Sequence, residues 1–137
     1  MKRILFITII VFLSNAVFGQ GLNSNANNIK KTYPTDYEAT LKKYALQDWE
    51  DDFAMVVFEI NRQADALYGL INAFESDYTK IAYKAIIDWS KDGHESSNIE
   101  KFNKFEVFGL SQLLKLHCDW TMVKFEYDRQ VKARNAF

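Results

Sequence analysis

With 137 residues, 48% of them hydrophobic, and a net charge of −1, the chain has material for one self-supporting domain and not for two of ordinary size. Charge so near balance excludes the long-range pull expected of a protein that binds nucleic acid or an anionic membrane surface. One cysteine, Cys118, excludes an internal disulfide, so stability has to come from packing, for which the 15% aromatic residues are suited.

The first stretch has the pattern of a secretory signal peptide. Lys2 and Arg3 give a charged start, Ile4 to Leu13 an apolar middle, and Val17-Phe18-Gly19 the small or permitted residues before a cleavage point. Cleavage is expected after Gly19, with Ser14-Asn15-Ala16 a second acceptable site. The apolar run is shorter than the roughly 20 residues of a spanning helix. The expected destination is the periplasm or the exterior of a bacterial cell, with no membrane association after cleavage. Loss of Lys2 and Arg3 leaves 15 basic and 18 acidic residues, a net charge of −3. Residues 20–34 follow, rich in asparagine and without apolar periodicity. Such a composition offers little to offset the entropy of ordering, and the segment reads as a flexible leader.

Residues 35–134 read as the folded part, an all-α domain. From Thr35 to Phe74 the apolar residues Tyr37, Leu41, Tyr44, Trp49, Phe53, Val56, Ile60, Ala64, Leu67, Ile71 and Phe74 recur at close to the helical period. Thr35 and Glu38, after Pro34, have the spacing of a capping box. Asp48 has the character of a fresh N-cap, so a break near Gln47 is expected. Phe53 to Phe58 is apolar on every side, which predicts burial by more than one neighbour. A second helix starts at Ser76, carries Tyr78, Ile81, Ala82, Ala85, Ile86 and Trp89 on one face, and ends at Asp92-Gly93. Ser97 and Glu100 open a third, running to about Arg134.

Unbroken, these rods would measure about 60, 22 and 55 Å at 1.5 Å per residue. They would leave the stripe from Leu113 to Tyr127 in water. Breaks near Gln47 and Gly109 resolve the mismatch, giving a small antiparallel bundle of three to five helices. An elongated shape covered by a second copy, a homodimer, is the alternative.

Few residues invite chemistry. His117 is a weak metal candidate, since neither a Glu-x-x-His pair nor a haem-attachment motif accompanies it. Cys118 follows it directly, yet adjacent helical side chains point about 100° apart and form no nucleophile–base pair. His94, beside Glu95 in a polar loop, is the other weak metal candidate and has no third group fixed nearby. Phosphate loops, nucleophile elbows and zinc-protease motifs are missing. The sequence implies no cofactor and no catalytic set. Its most distinctive surface feature is the acidic run Asp48-Trp49-Glu50-Asp51-Asp52. On one continuous helix, Asp48, Asp51 and Asp52 share a face, beside the apolar run that begins at Phe53. The expectation is therefore a non-enzymatic, exported binding protein, of an inhibitor or immunity type, meeting a protein partner through Asp48, Asp51 and Asp52. A self-associating structural protein is the alternative.

Overall fold

The computed structural model describes residues 21–75, 78–90 and 109–137, with the side chains of 74 and 75 left aside. The expected signal peptide, His94, the expected start of the second helix at Ser76 and end at Asp92-Gly93, and the expected capping pair Ser97 and Glu100 lie outside the described residues. The architecture is all-α. Six helices are present among the described residues: α1 (Ser24–Thr32), α2 (Pro34–Asp36, Tyr37–Lys42 and Lys43–Trp49 in continuous succession), α3 (Phe53–Ile71), α4 (Thr79–Asp88), α5 (Leu110–Leu114) and α6 (Trp120–Asn135).

Helix α3 is the central element. Asp52 caps it, its carboxylate accepting from Met55 N at 3.2 Å. Neither glycine nor proline interrupts it before Gly69. Helices α1, α2, α5 and α6 all pack on it, which is why Met55, Val56, Ile60, Ala64, Ala66, Leu67 and Leu70 are all buried along its length. Leu67 and Leu70 are fully buried, each worth about 2–3 kcal/mol in apolar area removed from water. At Gly69 an added Cβ would lie 2.6 Å from Lys124 Cε; the bare backbone lets the Lys124 stem cross α3 closely.

Hydrogen bonds fix the helix directions. Asn23 and Asn28 of α1 and its cap meet Asn61 and Tyr68 of α3 in the same order, so these two helices run parallel. Asp119 meets Gln63 and Lys124 meets Gly69, so α6 is parallel to α3 as well. Tyr78, just before α4, bonds Asn135 at the end of α6, while Trp89 O accepts from Asp119 N at its start; these two are antiparallel. Helices α1, α3 and α6 therefore share one direction and α4 runs against them, as in an antiparallel helical bundle.

Several local expectations are corrected. The asparagine-rich residues 20–34 are not a flexible leader where they are described, because Ser24–Thr32 is helical with Asn23 as its cap, and Ala26 and Ile29 are fully buried. Thr35 and Glu38 form no capping box; Pro34 occupies the first helical position after Tyr33, and no side chain caps this end. The break falls at Glu50 to Asp52, not at Gln47, and Asp52 rather than Asp48 caps the next helix. In the third region α5 begins directly after Gly109, but a second interruption at 115–119 separates it from α6, which Asp119 caps. Phe53, expected to be buried, is 68% exposed.

The middle of α2, Tyr37–Lys42, is a π-helical turn. Its buried residues Tyr37, Leu41 and then Ala45 are each four apart, a spacing that suits a turn wider than 3.6 residues. Thr40 Oγ1 donates to Asp36 O at 2.5 Å on the same turn. Burial, and next the carboxylate of Glu38, pushes the Tyr37 phenol above its ordinary 10.0. The folded state therefore holds this proton more tightly than the unfolded chain. Its contribution to stability is complete below pH 10 and is lost as pH rises through the folded-state value. Urea midpoints taken between pH 9 and 11 should fall further for the wild type than for Tyr37→Phe, and parallel curves would refute the assignment.

Candidate functional site

The acidic run is divided by a turn. Asp52 N donates to Trp49 O at 3.0 Å, closing a four-residue β-turn with Glu50 at its second position. Glu50 has φ 51° and ψ −111°, close to the type II′ conformation that normally calls for glycine at this position. It is the one non-glycine residue with positive φ among those described. Substituting Glu50→Gly should therefore raise stability by about 1 kcal/mol, the relieved strain exceeding the entropic cost of glycine. Chemical denaturation measures this; a loss of stability would show that the side chain contributes more than the strain costs.

Because of the turn, Asp48, Asp51 and Asp52 do not share one helix face. Asp48 is half-buried near the end of α2, whereas Glu50, Asp51 and Asp52 are exposed. Phe53 follows as the first residue of α3, with Ala54 exposed beside it. The outcome is an acidic turn with an aromatic ring standing in solvent at its edge.

Asp48 instead lines a small cavity with Thr40, Tyr44, Glu59, Gln63 and Trp120. The cavity measures about 20 Å³, room for a single water. Its floor is a buried polar clasp that sequence reading did not single out. Gln63, 8% exposed, donates from Nε2 to Glu59 Oε1 at 3.1 Å and to Asp119 Oδ1 at 2.9 Å. Its Oε1 accepts from Trp120 N at 2.6 Å. Glu59 Oε2 pairs with Arg62 Nη2 at 2.8 Å. The bonds of Gln63 to Asp119 and to Trp120 N join α3 to the start of α6, while those to Glu59 lie within α3 and orient the amide, so the work of the clasp is structural. The available signal was the pair of polar residues at i and i+4, Glu59 and Gln63, flanking the apolar stripe of α3.

The two neighbouring residues at the α5–α6 connection diverge. His117 stacks on Tyr44 of α2, ring centroids 3.4 Å apart at 14°. Cys118 is buried, its Sγ 3.9 Å from Ile86 O of α4. They therefore face different helices and constitute no nucleophile–base pair. Among the described residues no group of three or more His, Cys, Asp or Glu side chains is placed to hold a metal ion. No described helix is long and apolar enough to cross a membrane.

Comparison with known proteins supplies no relative: no family model, no curated protein and no solved structure matches the chain.

Proposed function

We propose that the chain is a small exported helical protein, of an inhibitor or immunity type, that acts without catalysis by binding a protein partner through the turn at Glu50, Asp51 and Asp52 together with Phe53. The observation that carries this reading is the conjunction at one place of a strained backbone and an exposed aromatic. Glu50 keeps a glycine conformation at φ 51° while Phe53 leaves 68% of its surface in water. Neither feature favours the folded state on its own, and costly local features of this kind concentrate where proteins engage partners. An aromatic anchor within a charged rim is also the usual composition of a binding hot spot. The complementary partner offers an apolar pocket bordered by lysine or arginine. Export rests on the Met1 to Gly19 pattern.

Photocrosslinking tests the reading. Benzoylphenylalanine at position 53, in cells that make the protein, should yield one discrete adduct that Asp51→Lys reduces at least tenfold. The same group at Phe125, 60% exposed on α6, serves as the comparison. Equal adducts from both positions, or none from position 53, would overturn the proposal. Asp52 is left unchanged throughout because it caps α3.

A further inference from the structure

We propose that α1 is exchangeable between two copies of the chain, leaving its own α3 to dock on the α3 of a second molecule in the same register. The interface of α1 with α3 is unusual in composition. Asn23 N donates to Asn61 Oδ1 at 2.8 Å, and Asn61 Nδ2 donates to Gly21 O at 3.0 Å. The side-chain amides of Asn23 and Asn25 both donate to Asp65 Oδ1 at 2.9 Å, and that of Asn28 to the Tyr68 hydroxyl. Most of these groups are exposed, and undocked they bond equally well to water, so each contributes little net cohesion. Of the nine residues of α1, only Ala26 and Ile29 are buried. Helix α1 therefore undocks at a small fraction of the cost of unfolding the core.

An undocked helix of nine residues does not persist alone in water. It melts or docks again, and any α3 presenting Asn61, Asp65 and Tyr68 offers it the same bonds. The connection to α2 allows either choice. A single residue, Tyr33 at φ −128° and ψ 60°, separates the two helices. Pro34 follows, and its ring disfavours the helical conformation for Tyr33 and removes a helical N–H, so fusing α1 and α2 into one rod is strongly disfavoured. Exchange therefore changes the backbone angles of Tyr33 within the non-helical region that Pro34 leaves open, without fusing the two helices. Exchange by two molecules at once satisfies a twofold dimer without any new contact surface. Docking within one molecule has an effective concentration on the order of millimolar, so the closed monomer prevails in dilute solution and the exchanged dimer grows in when the protein is concentrated.

The test uses the mature chain with Cys118→Ala. A molecule carrying only Asn25→Cys is mixed with one carrying only Asp65→Cys at about 1 mM, matching that effective concentration, and treated with a short bismaleimide. The covalent heterodimer should form at least tenfold faster than when Asn27→Cys, on the opposite side of α1, replaces Asn25→Cys. In a second arm both cysteines are placed in one chain and crosslinked in dilute solution, which fixes α1 to its own α3. Light scattering at high concentration should then show at least a tenfold smaller dimer fraction than for the uncrosslinked chain. Equal rates for the two cysteine pairs, or equal dimer fractions before and after crosslinking, would overturn the proposal.

Discussion

Replacing Gln63 with alanine is expected to lower folding stability by about 3–5 kcal/mol. The amide makes three hydrogen bonds that span 57 residues of sequence at the longest, two of them to carboxylates and one from Trp120 N. Truncation leaves Glu59, 7% exposed, with Arg62 as its remaining partner, and leaves Trp120 N without its acceptor. Bonds to charged groups are worth about 1.5–3 kcal/mol each, and an abandoned buried partner adds its own desolvation cost. By contrast, Asp119→Ala should cost nearer 1–2 kcal/mol, because it removes a cap and one bond while Gln63 still holds Trp120 N. Urea denaturation at neutral pH distinguishes these. A loss below 1 kcal/mol for Gln63→Ala would mean that water replaces the amide, and that the clasp contributes little.

The second large effect is expected at Leu67. Its side chain is fully buried in the cluster that α3 shares with its neighbours, and Leu67→Ala should cost about 3–5 kcal/mol in transfer and cavity terms. A domain of this size has a total of about 5–15 kcal/mol, so the variant should be visibly destabilised across every helix in hydrogen exchange. Ile29, equally buried on α1, supplies the contrast. Ile29→Ala cannot cost the folded core more than the free energy that docks α1, so protection should vanish from 24–32 while α3 and α6 keep theirs. Uniform loss of protection in both variants would show that α1 and the core unfold as one unit.

How far the sequence discloses this fold depends on where the stabilising partner lies. The stripe of Val56, Ile60, Ala64 and Leu67 is a local pattern, and all four residues are buried. The break at Gly109 was legible for the same reason. Helix α1 was not, because composition counts asparagine as a poor investment in order, while the amides of Asn23, Asn25 and Asn28 find their partners about 40 residues away. The acidic run announced a helix start, and an aspartate does cap α3. Which aspartate does so was decided by the turn at Glu50, a positive-φ conformation that glutamate does not advertise. The same turn dissolved the supposed common face of Asp48, Asp51 and Asp52. The stacking of His117 against Tyr44 across 73 positions was not readable, because nothing local links the two residues.

The Gln63 clasp also bears on the order of events during synthesis. The opening turn of α6 is held by an amide that left the ribosome 57 residues earlier, and until Asp119 and Trp120 emerge that amide has one of its three bonds. Closure of the bundle on the far side of α3 therefore waits for α6, whose first residues complete the bonds that α3 alone leaves open.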